Sequence, residues 1–335
     1  MSAEYDGGGL PLLKLTPSMK PRVWGGRRFA ASLGRELPEG GAAIGESWEL
    51  VDLEGEQTLV AGGPLAGTPL GELRARRPEA LLGSARLLDG RFPLLLKFID
   101  ARERLSVQVH PGEAACAALA GTGARVKTEC WYVMACDPGA ALYVGLEPGV
   151  DRRGFEDALA EGDVERLLHR RAVAPGDFVH IPAGTIHAIG AGVLLAEVQQ
   201  ASDTTYRAFD WNRAGLDGRP RPLQIPEALA SIDFSSHGCP SFAQPASGRR
   251  GVRCPEFTAE LIEPAEIAAG CAVTSTGFVA LMGVGGTGQV EIRAGDGALR
   301  LGLGETALVP ACLAGSVRLE GAAALSVLAA SAAAG

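Results

Sequence analysis

Glycine, proline or aspartate interrupts almost every apolar run in this 335-residue chain, and 46 of its residues are glycine. The stretches 47–51, 94–99, 131–136, 141–144, 178–181 and 193–198 are short, and turn-forming residues bound them. Runs of roughly four to eight residues at close spacing are the mark of strands in a sandwich or barrel. Three segments depart from that pattern. Residues 68–82 carry Leu70, Leu73, Ala80, Leu81 and Leu82 behind Pro69, a residue suited to a helix start. Residues 113–120 and 155–169 are the other expected helices, the latter through Phe155, Leu159, Val164, Leu167 and Leu168. The expected fold is mainly β, a sandwich or barrel with a few helices, plus a smaller C-terminal β-sandwich.

The boundary between the two is expected between Asp233 and Arg253. There the segment SSHGCPSFAQPASGRRG is rich in Ser, Gly and Pro and has no periodicity. This sets a first domain at 1–235, with helical insertions, and a second domain at 253–335. In the second, 257–262, 278–283, 288–294, 298–303, 305–309 and 324–328 read as strands. This part contains no His and no compact polar cluster, so a structural or interface role is expected for it.

A net charge of -8 and a pI near 5.3 argue against a nucleic-acid partner, which requires clustered excess Lys and Arg. The local clusters Arg74, Arg76, Arg77 and Arg249, Arg250 read as solvated faces. Seven cysteines without a C-x-x-C pair suggest reduced thiols and a cytoplasmic setting. Residues 1–9 include Glu4 and Asp6 and no apolar run, so no signal peptide is expected there. The Ala-rich end, 322–335, falls short of the roughly 20 apolar residues of a membrane helix. A soluble protein with no membrane partner is expected, and nothing points to a particular oligomeric state.

The chain has five His, at 110, 169, 180, 187 and 237. Around the first, Ser106, Gln108 and His110 alternate with Val107 and Val109. On a strand the three polar groups share one face and the valines the other. The polar face either meets solvent or lines a polar cavity or metal, because three unpaired polar groups in a dry core are unfavourable. Around the fourth, Gly176, Pro182 and His187 follow G-x5-P-x4-H, the second motif of cupin barrels. Gly-Asp makes a tight turn, and Gly184 permits a bend that aims His187 inward. His180 is expected on a pocket wall or the surface, and His169 and His237 on the surface.

Lys127 and Glu129 share a further strand face. They are either an exposed salt bridge or, with two inward His, part of a set of two imidazoles and one carboxylate, the kind that holds catalytic zinc with one position open. Glu197 closes an apolar strand, and after a Ser-Asp-Thr turn Arg207 lies on the next. A strand-held guanidinium either pairs with Asp210 or Glu197 for structure, or binds a phosphate or an oxyanion.

At these residues the chain resembles the type I mannose-6-phosphate isomerases, particularly the short bacterial form. The matching stretches are PRVWGGRRF, GESWEL, FPLLLKFIDARERLSVQVHP, KTECWYV, PGDFVHIPAGTIHAIG and LLAEVQQASDTTYRAFDW, in the family's order. The resemblance implies a cupin (jelly-roll) barrel, one Zn2+ per chain held by Gln108, His110, Glu129 and His187, and a catalytic Arg207. It implies a sugar-phosphate pocket lined by Lys97, Ser106, Lys127 and Glu197. The reaction would pass through a cis-enediol(ate), with Glu197, Lys127 and metal-bound water as candidates for moving the proton and Lys97 and Ser106 as phosphate contacts. Two other readings stay open at this level: a metal-dependent cupin oxidoreductase, since two His and a carboxylate also suit iron, and a non-catalytic sugar-phosphate-binding cupin.

Overall fold

The computed structural model describes residues 9–322 and 324–333, so the expectation about a signal peptide at the N-terminus lies, but for Gly9, outside the described residues. Two antiparallel sheets build the first half. One has six strands in the order Phe178–Ile181, Glu129–Cys136, Val193–Gln200, Leu94–Ala101, Ser18–Gly26 and Ile44–Leu50. The other has five, in the order Leu168–Ala172, Ala141–Leu146, His187–Ile189, Val107–Val109 and Tyr206–Phe209. They face each other across an apolar core to which Trp131, Val133, Val179 and Leu195 come from the first sheet and Leu142, Val144 and Ile189 from the second. This is the expected jelly-roll.

The six-stranded sheet is buried on both faces. Along Leu94–Ala101 every residue is buried. Leu94, Leu96 and Phe98 look outward, whereas Lys97 and Ile99 look into the barrel. The outward face, with Cys130, Tyr132, Phe178 and Val198, packs on Phe257, Ala259, Met282 and Leu328. Those residues belong to a seven-stranded sheet whose order is Gly251–Arg253, Phe257–Ile262, Ala324–Ala332, Val279–Thr287, Thr306–Val309, Leu13–Thr16 and Leu59–Val60. A four-stranded sheet, Cys271–Val273, Val317–Glu320, Gln289–Ala294 and Gly297–Gly302, closes its far side over Val290, Ile292 and Leu301. Two strands from the first 60 residues thus complete the sheet of the C-terminal sandwich, through the registers Leu13↔Leu308 and Leu15↔Val60.

The helices differ from expectation for local reasons. Residues 68–82 form two helices, Leu70–Arg76 and Pro78–Leu82. Pro78 supplies no backbone N–H and disfavours helical geometry at Arg77, whose φ and ψ are -138° and 52°. The helix expected at 155–169 spans Arg152–Glu161. The Asp151 side chain caps its first turn, and Gly162, left-handed at φ 72°, ends it. The apolar periodicity of Val164, Leu167 and Leu168 continues past that stop, but it belongs to a 3-10 turn and the strand Leu168–Ala172. The third helix, Glu113–Ala118, lies within its expected range. The arginine clusters are tied into the fold: Arg74 pairs with Asp52, and Arg249 with both Glu260 and Glu266. Among the described residues no helix is long and apolar enough to cross a membrane.

One buried ion pair joins the two halves. Arg35 makes two parallel bonds of 2.8 Å to the Glu49 carboxylate. Ser47 and Thr306 donate to the same carboxylate, and Arg35 also reaches the Gly304 carbonyl. Replacing Glu49 with Ala leaves a buried guanidinium without its partner and is expected to destabilise the protein by about 3–5 kcal/mol. Urea denaturation checks this. A change below about 1 kcal/mol, the range of exposed pairs, would show that the pair contributes like a surface one.

Candidate metal centre and substrate pocket

The short strand Val107–Val109 explains the first half of the centre. Val107 and Val109 point away from the barrel and pack with Phe155, Ala158 and Leu229. Ser106, Gln108 and His110 therefore face inward. The chain returns to them through Gly184, whose φ of 88° is a left-handed conformation that suits glycine. Its N–H donates to the His110 carbonyl at 2.8 Å. The turn sets His187 directly opposite Gln108 in the sheet, and Arg207 pairs with Gln108 on the other side. His187, Gln108 and Arg207 thus form one row. In the facing sheet Lys97, Glu197 and Trp131 form another, through the registers Glu197↔Lys97 and Glu197↔Trp131. Glu129 lies two residues before Trp131 and so shares its face.

The His110 and His187 rings lie 4.8 Å apart, both buried. Glu129 reaches between them, with Oε2 3.1 Å from His110 Nε2 and Oε1 3.6 Å from His187 Nε2. These ligand atoms all fall within 4.8 Å of one another. On its far side each imidazole meets a backbone carbonyl: Thr204 O at 2.9 Å from His110 Nδ1, and Thr185 O at 2.9 Å from His187 Nδ1. A carbonyl can only accept, so Nδ1 carries the hydrogen in both rings and the two Nε2 lone pairs are left facing Glu129. Burial first, and then the charge of Lys127, pushes the His110 pKa down to about 3. Burial also lowers that of His187. Burial disfavours the Glu129 charge, but Lys127 at 2.9 Å helps hold its carboxyl well below the usual range. Neutral imidazoles and a charged carboxylate therefore converge.

His110 Nε2 has no hydrogen-bond partner and faces Glu129 Oε2 with no hydrogen between them; Lys127 meets that oxygen from another side at 2.9 Å. Two buried acceptors at contact distance repel unless a cation lies between them. Two His nitrogens and a carboxylate, each ring fixed by a backbone acceptor, fit a divalent metal. Gln108 stands beside them, with its amide nitrogen 3.3 Å from His187 Nε2 and its oxygen accepting from Ser106 Oγ at 3.2 Å. Its oxygen joins the ligand set only after the amide turns over.

A cavity of about 620 Å3 opens next to the centre. Lys97, Ser106, Gln108, Lys127, Glu197 and Arg207, all singled out from sequence, line it. The buried Glu197 lies 3.2 Å from Lys97 through Oε1 and accepts from Trp131 Nε1 at 3.0 Å through Oε2. Burial and the nearby Glu129 raise the Glu197 pKa. Burial opposes the Lys97 charge, but Glu197 and Glu46 hold that ammonium above its ordinary range. Burial and Arg221 lower the Arg207 pKa to about 10, which leaves the guanidinium charged at neutral pH. The Lys127–Glu129 salt bridge is buried, where sequence alone left an exposed one open.

The wall also includes residues that sequence reasoning did not assign: Arg22, Glu46, Asp203 and Arg221. Arg22 and Glu46 pair at 2.7 Å and sit in the PRVWGG and GESWEL stretches, whose conspicuous composition was the available signal. Arg221 comes from an aperiodic Pro- and Arg-rich segment that carries no such signal. His180 departs from its expected place. It pairs with Cys130 across the sheet, which turns it to the outer face, where it is buried against Phe242 and lines no part of the cavity. His237 is exposed and His169 partly so.

The family model for the catalytic domain of type I phosphomannose isomerases matches residues 12–130. A mannose-6-phosphate isomerase of Streptococcus mutans is 40% identical over 234 residues, 70% of this chain and 71% of that protein. The crystal structure of the mannose 6-phosphate isomerase from Bacillus subtilis superposes with a TM-score of 0.83 at 27% identity, covering 96% of this chain and 99% of that one. A mannose 6-phosphate isomerase crystallised with zinc and yttrium shares the fold, with a TM-score of 0.73 at 18% identity over 96% of this chain and all of that one (100%).

Stripping the protein with a chelator and restoring a divalent cation at about 100 times its dissociation constant is expected to add about 2.7 kcal/mol of stability. Thermal unfolding with and without the cation measures it. The response should persist at and somewhat below pH 6.5, the ordinary His value, because both imidazoles are held neutral there. His187→Ala should abolish it, and a melting temperature indifferent to metal would remove the centre.

Proposed function

The chain belongs to the type I mannose-6-phosphate isomerases, and from that premise we propose that it interconverts mannose 6-phosphate and fructose 6-phosphate with one zinc ion per chain. The observation that carries this reading is the convergence of two neutral imidazoles and a charged carboxylate beside a cavity with buried lysines, a carboxylate and a guanidinium. His110, Glu129 and His187 would hold the zinc, and Gln108 would add its amide oxygen once the amide turns over. When bound, the zinc supplies Lewis-acid polarisation of the sugar's carbonyl oxygen.

The rest of the chemistry belongs to the chain. An aldose–ketose interconversion removes a proton from C2 and delivers one to C1 through a cis-enediolate. Glu197 is the group best fitted to carry that proton. Its Oε1 has no partner other than the Lys97 ammonium at 3.2 Å, the residue lines the cavity, and its raised pKa brings proton uptake closer to neutral pH. Lys127 is engaged with Glu129, which weakens its claim. Arg207 keeps its charge and balances that of the enediolate. Lys97 and Ser106 orient the open-chain sugar, and the partly exposed Arg22 and Arg221 give the same wall the positive charge that a phosphate dianion requires.

In this reading the catalytic domain lies within residues 1–235, and a β-sandwich within 253–335, completed by Leu13–Thr16 and Leu59–Val60, braces its six-stranded sheet. The net charge of -8 and the free thiols of all seven cysteines support a cytoplasmic enzyme with no nucleic-acid partner. Replacing Arg207 with Ala should lower turnover roughly 10^2- to 10^3-fold, the range for losing one preorganised donor to an oxyanion. Zinc should stay at one per chain. A coupled assay on mannose 6-phosphate, with metal analysis of the same sample, checks both, and near-normal turnover would take Arg207 out of the reaction.

A further inference from the structure

Trp131 has no part in the chemistry above, yet it touches two groups that do. It is fully buried on the inner face of the six-stranded sheet. Its indole N–H donates to Glu197 Oε2 at 3.0 Å, and its ring meets the His187 ring edge-on, with centroids 5.5 Å apart and planes at 75°. A buried indole N–H needs an acceptor, and among the contacts described the Glu197 carboxylate is the one that meets it. The bond engages one carboxylate oxygen and leaves the other, Oε1, beside Lys97 without a hydrogen-bond partner.

We propose that Trp131 is a positioning residue, whose N–H locks Glu197 so that Oε1 alone is presented to the C1–C2 edge of the sugar. The inference rests on the reading of Glu197 as the proton carrier. Oε1 takes the C2 proton; the C2–H electron pair becomes the C1–C2 double bond, and the carbonyl pair moves onto O1. Oε1 then returns the proton to C1 while the O2 hydroxyl proton passes to O1, leaving a ketone at C2 and the carboxylate as it began. A carboxylate free to rotate would divide its time between productive and unproductive orientations, which lowers turnover without changing how the sugar is held.

The test compares Trp131→Phe, Glu197→Gln and the double variant in the zinc-loaded enzyme. Trp131→Phe keeps an aromatic ring against His187 and removes the N–H. The expected result is a fall in kcat of about tenfold, the scale of one hydrogen bond made to a charged group. KM and zinc content should be unchanged, and the isotope effect with substrate deuterated at C2 should rise, because proton abstraction becomes more rate-limiting. In the Glu197→Gln background the same substitution should add less than about twofold, since residues that act as a unit are not additive. Unchanged kcat and isotope effect, full additivity, or loss of zinc in parallel with kcat would each overturn the proposal. If Glu197→Gln alone kept full turnover, the proton-carrier reading would fall, and the positioning role with it; an inactive Glu197→Gln beside an unaffected Trp131→Phe would overturn the positioning role only. Should Trp131→Phe fail to fold, β-(3-benzothienyl)alanine placed at position 131 has the shape of Trp without the N–H, and the same outcomes decide.

Discussion

A sheet buried on both faces organises this molecule. Side chains alternate across a strand, so each strand of the six-stranded sheet must satisfy two environments at once. The outer one is dry and apolar, and Phe98, Cys130, Tyr132 and Val198 meet the C-terminal sandwich there. On the inner side Lys97, Glu129, Trp131 and Glu197 look into the barrel. A slip of one residue in any register would place charges in the inter-sheet core and leucines in the cavity. The rigidity of the site and the packing of the second domain are two consequences of one set of strand registers.

The inner face then has its own electrostatic problem. Two lysines, two carboxylates and two imidazoles are buried at the metal centre and the adjoining cavity wall. They are tolerated because they pair: Lys97 with Glu197, Lys127 with Glu129. Beyond these ion pairs, His110 Nε2, Glu129 Oε2 and Glu197 Oε1 make no hydrogen bond, and His187 Nε2 faces only the Gln108 amide nitrogen and Glu129. The two Nε2 atoms and the Glu129 carboxylate converge on a place for a cation. Glu197, held by Lys97 and Trp131, lines the cavity beside that place.

Much of the centre was legible in the chain because it rests on local pattern. The alternation of Ser106, Gln108 and His110 with two valines needs only the period of a strand, and the valines do pack outward. The spacing from Gly176 through Pro182 to His187 encodes a turn, and the positive φ of Gly184 is the conformation that turn requires. Other features were not local. The strand Leu13–Thr16 finds its partner nearly 300 residues away, and no pattern within four residues can announce that. The helix read across 155–169 ends at Glu161 because Gly162 is a strong stop signal, which the apolar residues beyond it obscured. Trp131 went unassigned because one aromatic among strand residues looks like core, and it is core as well.

By itself, then, the sequence determined which side chains share a strand face and where the chain must bend, since both depend on neighbours a few residues apart. Only the tertiary structure decided which faces meet. The distance from His110 to Glu129, the choice of tautomer through Thr204 and Thr185, and the bond from Trp131 to Glu197 all join strands that are remote in the chain. Such contacts follow from sheet order and register, which are settled by the packing of the whole barrel rather than by any segment of it.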